Sequence, residues 1–269
     1  MKRDPHAKRL LSALPIRGTL ASPQRGVVEV AALFGLYGLY QVVRGFGELD
    51  FEAAQRNTAA IVALEQRLQF FVERSVQDWA LTVPGLAGVL GFAYLALHLL
   101  LTPAALVWVY RAHRDRFALV RTTLVGSTAL ALVGYVLYPA APPRLAELGF
   151  ADTVSERAGL NLSSEALGSF YNPIAAVPSL HFGYALLIGG AIAWLARSRA
   201  IRLAGAVYPV LMLFIIVATG NHFLLDAAAG GAVVLAGWAV ARLLIPTRRE
   251  ALVHERPGRA AQRLERLAA

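Results

Sequence analysis

Hydrophobic residues gather along the chain into six stretches, near 27–43, 81–109, 119–137, 177–195, 203–219 and 223–245, separated by more polar segments. At ~1.5 Å per helical residue each reaches, or nearly reaches, across ~30 Å of hydrocarbon. The pattern therefore predicts an all-α polytopic membrane protein, a six-helix transmembrane bundle. The first stretch begins after Arg25, carries Glu29 and has no small-residue cleavage site, which reads as an anchor rather than a cleaved signal peptide. Between the first two stretches, apolar residues at 61, 64, 68, 71, 72, 76 and 79 recur at helical spacing, with Glu65, Gln66, Gln69, Glu73 and Gln77 among them. This spacing predicts an amphipathic interfacial helix in the first outer loop, a packing brace resting on the membrane surface or on the bundle.

Composition sharpens the picture. Of 269 residues, 57% are hydrophobic and 16% charged, and the mean hydropathy is +0.53, too greasy for a water-soluble chain of this length. The absence of cysteine excludes a disulfide scaffold, thiolate metal sites and cysteine nucleophiles, leaving oxygen and nitrogen chemistry. The formal net charge of +9 raises the question of nucleic acid, which the placement of the charges answers. The N-terminal arm, the second and fourth connections and the tail, counted with Arg121 and Arg242 at the adjoining ends of their stretches, hold 20 Lys and Arg against 5 acidic residues, whereas the other connections hold 6 against 10. Basic residues spread through short loops are a topology signal, which puts both termini in the cytoplasm and leaves no face for nucleic acid. The expected organisation is a basic cytoplasmic arm over 1–26, a six-span domain over 27–245 and a basic cytoplasmic tail over 246–269. The expected location is a bacterial plasma membrane.

Three segments place polar or helix-breaking residues where this topology puts the outer surface. Prolines 139, 142 and 143 end the third stretch and present Arg144 just past its last turn. Pro178-Ser179-Leu180-His181 opens the fourth, with Ser179 as a potential N-cap and His181 in the first turn, where exposed amides favour an anion. Gly220-Asn221-His222 opens the sixth, with Asp226 four residues on and therefore on the same helix face as His222. A carboxylate this far into a span needs a partner, and an imidazole held by a carboxylate through one nitrogen keeps the other free to act as base or nucleophile. Two histidines, an aspartate, a serine and an arginine on one membrane face make a phosphate site. One imidazole can attack phosphorus while the other protonates the leaving oxygen. No carboxylate cluster suggests a metal, and no cofactor is expected.

At these residues the sequence resembles the type 2 phosphatidic acid phosphatase superfamily, whose motifs are K-x6-R-P, P-S-G-H and S-R-x5-H-x3-D. Pro178-Ser179-Leu180-His181 departs from the second only at Leu180, and His222 with Asp226 matches the end of the third. The Ala-Pro-Pro-Arg144 turn looks like a reduced first motif, as in the branch resembling inositol phosphorylceramide synthases. The resemblance implies that His222 is the nucleophile, forming a phosphohistidine, that Asp226 orients it, that His181 protonates the leaving group, and that Ser179, Arg144 and Asn221 bind phosphate. It also implies turnover without a metal on a lipid phosphate substrate. The family's lysine of the first motif would fall at Leu137, and its Ser-Arg pair of the third at Ile215 and Ile216. Fewer cations suit a monophosphate or phosphodiester better than a pyrophosphate.

The expected function is thus a membrane phosphatase or phosphotransferase at the outer leaflet. The alternatives are transfer of phosphoinositol or another phosphoalcohol to a lipid hydroxyl, a non-catalytic lipid-binding protein, and a transporter. His98, a polar residue at depth in the second stretch, reads as a packed and hydrogen-bonded side chain, and the connection from Tyr138 to Val177 as a lid over the site.

Overall fold

The computed structural model describes residues 51–159 and 172–245, together with Ala31, Gly35, Gly38, Gln41 and Val42. The predicted arm, nearly all of the first predicted span and the tail lie outside the described residues. Everything below belongs to the unit Tyr40–Ala269. The described residues form an all-α architecture whose one extended element is an isolated parallel bridge between Ala140 and Ala175.

Two helices, α1 (Phe51–Arg67) and α2 (Glu73–Thr82), occupy the segment for which one amphipathic helix was expected. The break falls at Leu68–Val72, where Gln69 takes a left-handed φ of 60° with no glycine or proline to announce it. Some of their polar residues are turned inward. Glu65, Glu73 and Gln77 are each 0% exposed, while Leu64, Leu68, Val72 and Trp79 face outward beside exposed Glu52, Arg56, Gln66, Arg67, Gln69 and Asp78. Hydrogen bonds to the amides of Leu224 and Leu225 and to Ala151 hold the buried ones.

Among the described residues, four helices are long and apolar enough to cross a membrane. They are α3 (Leu86–Ala112), α4 (Arg114–Leu137), α7 (Arg199–Ala218) and α8 (Leu224–Leu244). Between α4 and α7 lie a 3-10 turn (Pro143–Leu145), the short helix α5 (Thr153–Glu156) and the apolar 16-residue helix α6 (Leu180–Leu195). Within α3 the residues Leu97–Leu101 form a π-helical turn just before Pro103. Proline cannot donate to the carbonyl four residues back and its ring crowds that turn, so local rewiring of the ladder at this point has a steric cause.

Small residues set the helix spacing. A Cβ on Gly189 would come within 2.5 Å of the Gly205 carbonyl oxygen, so α6 and α7 touch backbone to backbone. On the other side of α6, a Cβ on Gly230 would lie 2.2 Å from the Ser179 carbonyl oxygen and one on Gly183 3.1 Å from that of Gly230. Without a hydrophobic drive between helices in lipid, such close contact is the available source of association. It seats the start of α6 directly against the first turns of α8.

Candidate active site

The end of α7 and the start of α8 are separated by only five residues, and their geometry follows from the local sequence. The amide of Asn221 donates to Ile216 O and that of Gly220 to Val217 O, both at 3.0 Å. This is the Schellman pattern, which requires a left-handed residue, and Gly220 supplies it with φ 66°. The chain then reverses at once into α8, leaving His222 in the turn, 4% exposed.

His222 Nδ1 lies 3.1 Å from the carbonyl oxygen of Ala176 and 3.4 Å from Asp226 Oδ2. A carbonyl can only accept, so Nδ1 carries the hydrogen and Nε2 keeps its lone pair. Ala176 is put there by the parallel bridge, in which Ala140 N donates to Ile174 O at 2.9 Å and Ala176 N to Ala140 O at 3.0 Å. Asp226 does two jobs: besides flanking His222, its Oδ2 accepts from Phe223 N at 2.9 Å, capping α8.

Ser179 caps α6, its Oγ accepting from Phe182 N at 3.4 Å, and its amide donates to Asp226 O at 2.9 Å. His181, in the first turn of α6, brings its ring centroid to 5.7 Å from that of His222, at an interplanar angle of 48°. The predicted His181, His222, Asp226 and Ser179 are therefore gathered at one helix crossing. Arg144 joins them through the third motif: its amide donates to Gly220 O at 3.0 Å and its Nε to Asn221 Oδ1 at 2.9 Å. Nη1 pairs with Asp152 Oδ2 at 2.8 Å. Asn221 donates in turn to Thr219 Oγ1 at 2.8 Å, so both ends of its amide hold protein. In this structure Asn221 is a strut that positions the arginine.

Several residues around the site were not assigned to it from sequence. Tyr94 and His98, one turn apart on α3, stand on the His181 ring with centroids 4.0 and 4.1 Å away. His98 also stacks on Tyr184 at 5.3 Å, its planes 1° from parallel. His98, expected from sequence to be packed and hydrogen-bonded, is packed in an aromatic column with His181 and Tyr184, but its Nδ1 is buried without a hydrogen-bond partner. The polar face of α1 holds the proline turn that carries Arg144. Asn57 Nδ2 donates to Pro139 O at 2.8 Å, Gln55 Nε2 to Leu145 O at 2.7 Å, and Thr58 Oγ1 accepts from Ala141 N at 2.9 Å. Gln77 of α2 pairs twice with Ala151, at 2.9 and 3.0 Å.

Residues 59–240 match the model of the PAP2 superfamily. The chain belongs to the PAP2 superfamily. Comparison with curated proteins and with solved structures gives no match. PAP2 membership suggests phosphatase or phosphotransferase activity, and the apolar helices agree with membrane residence. At the three positions where the PAP2 pattern would have Lys, Ser and Arg, Leu137 is 77% exposed while Ile215 and Ile216 sit in the hydrophobic core beside Met212 and Ala218. Among the described residues, no group of three or more His, Cys, Asp and Glu side chains is placed to hold a metal ion.

Proposed function

We propose that this PAP2-superfamily protein is an integral-membrane lipid phosphatase or phosphotransferase acting through a phosphohistidine on His222, without a metal. It works at the outer face of the membrane, with both termini in the cytoplasm. The observation that carries the reading is the facing of His181 and His222 across 5.7 Å, with His222 Nδ1 held by a carbonyl.

His222 Nε2 attacks phosphorus, forming an N–P bond as the P–O bond to the leaving alcohol breaks. His181 gives its proton to the departing oxygen. In the second half His181 takes a proton from the acceptor hydroxyl, whose oxygen attacks phosphorus and releases His222. If the acceptor is water, inorganic phosphate leaves from a monophosphate substrate and a phosphomonoester from a phosphodiester; if it is a lipid hydroxyl, the phosphoryl or phosphoalcohol group is transferred. Arg144 and the amides at the start of α6, with Ser179, face the equatorial oxygens as charge develops. Arg144 already shares its charge with Asp152, and two core positions carry isoleucine. Both facts favour a monophosphate or phosphodiester over a pyrophosphate.

The test is a phosphate-release screen with the purified protein on isoprenoid phosphates, phosphatidic acid and phosphatidylglycerophosphate, with and without a chelator, repeated with rising lipid acceptor. Release that falls as acceptor rises marks transfer. Release that ignores acceptor marks hydrolysis. Turnover that survives His222→Ala at the wild-type rate defeats the phosphohistidine reading, and a wild type that binds these lipids but turns none of them over is a lipid-binding protein.

A further inference from the structure

The first turn of α8 receives carboxylates from three different elements. Phe223 N donates to Asp226 Oδ2 at 2.9 Å, Leu224 N to Glu73 Oε1 at 2.8 Å, and Leu225 N to Glu65 Oε1 at 2.8 Å. Three consecutive amides that a helix cannot satisfy by itself are thus satisfied by side chains. Two come from α1 and α2, 160 and 151 residues away in the chain. Glu65, Glu73 and Asp226 are all 0% exposed. Two consequences follow. This helix start, ordinarily an anion site, is filled by the protein's own acids, so substrate phosphate has to be met at the start of α6 and at Arg144. The three carboxyls also leave Glu65 Oε2, Glu73 Oε2 and Asp226 Oδ1 buried with no hydrogen-bond donor. Acid oxygens have nothing to accept from one another unless one carries a proton, and charge buried without a partner is costly.

We propose that Glu65 and Glu73 are positioning residues for catalysis, two buried carboxyls that clamp the α8 N-terminus so that His222 and Asp226 are held opposite His181. The proposal rests on the catalytic reading above. It assigns to the outer-loop helices a role beyond bracing: they fix the turn on which the nucleophile sits. Burial in the first place, with the charges of Glu73 and Asp226 added, pushes the Glu65 carboxyl up to about 8, which keeps Glu65 protonated through neutrality. The groups facing Glu65 are Glu73 from α2 and Asp226 from α8, the latter flanked by His222. Loss of the proton sets like charges against each other at the helix start and loosens it.

The experiment uses the full chain in lipid nanodiscs and two readouts. One is amide hydrogen exchange across 219–232, which needs no substrate, and the other is turnover of phosphatidic acid as a function of pH. Glu65→Ala and Glu73→Ala are expected to speed exchange at Leu224 and Leu225 by about tenfold or more. Their kcat should fall about 10- to 100-fold with KM little changed, since the nucleophile is misplaced rather than the lipid released. Glu65→Gln keeps the acceptor for Leu225 N and has no charge to develop. It should retain protection and kcat, and it should lack the alkaline fall in kcat expected of the wild type near pH 8. Alanine variants with wild-type exchange and kcat, or a glutamine variant no better than alanine, overturn the proposal. If His222→Ala leaves turnover untouched, the catalytic reading fails separately, and the clamp is then judged by exchange alone.

Discussion

His222 lies closer to the carbonyl oxygen of Ala176, at 3.1 Å, than to the Asp226 carboxylate, at 3.4 Å. The main chain therefore sets the tautomer of the imidazole, and the carboxylate steadies the positive charge that grows on the ring as Nε2 bonds to phosphorus. His222→Ala should lower kcat by ~10³-fold or more. Asp226→Asn keeps an acceptor for Phe223 N and should cost only about 10- to 100-fold. Steady-state kinetics of the two variants side by side check the ranking; equal losses would make the carboxylate the principal holder of the ring.

Gly230 is the contact point of the two helices that carry the histidines. An added methyl would meet the Ser179 carbonyl oxygen at 2.2 Å, and backbone on both sides leaves nothing flexible to yield. Gly230→Ala should destabilise the protein by about 1–3 kcal/mol and spread His181 from His222, lowering kcat more than it raises KM. Thermal unfolding in detergent together with kinetics reads both effects. A variant of wild-type stability and activity would mean that the close crossing has no part in the site.

Arg144 is held by Asn221 through Nε and by Asp152 through Nη1. Arg144→Lys keeps the charge but cannot make both contacts, so activity should drop ~100-fold, near the loss expected for alanine. Asn221→Ala should share part of that loss by letting the guanidinium swing. If lysine restores full activity, the fork geometry is irrelevant and only the charge counts.

Glu65 makes stability depend on pH with a definite sign. Its carboxyl is raised from an ordinary 4.5 to about 8, chiefly by burial. Between these values the folded protein holds a proton that the unfolded chain has released. The contribution is therefore complete below about 4.5, shrinks as pH rises and is gone above about 8. The unfolding midpoint of the wild type should fall relative to that of Glu65→Gln over this window. Parallel curves for the two proteins would show that Glu65 holds no extra proton.

Local spacing made much of this legible in the sequence. Ser179 with His181, and His222 with Asp226, are close in the chain, and helix geometry alone places each pair. The apolar stretches expected near 81–109 and 223–245 correspond to the long helices Leu86–Ala112 and Leu224–Leu244. What stayed hidden depends on distant packing or on the solvent assumed. Tyr94 and His98 reach His181 from another helix, and a single histidine in an apolar run carries no sign of which ring it will meet. Glu65, Glu73 and Gln77 have the periodicity of a water-facing stripe, yet partners far along the chain, the amides of Leu225 and Leu224 and the backbone of Ala151, draw them inward. The break at Gln69 had no glycine or proline to mark it. Arg144 was legible as a cation at the site, whereas its pairing with Asp152 arises from how the loop folds back.

The most direct measurement is capture of the covalent intermediate: rapid quench of the protein with phosphate-labelled phosphatidic acid, then mapping of any label. The account predicts an alkali-stable, acid-labile phosphoryl group on His222, absent from His222→Ala and formed far more slowly in His181→Ala. Turnover with no label on His222, or label on another residue, would contradict it.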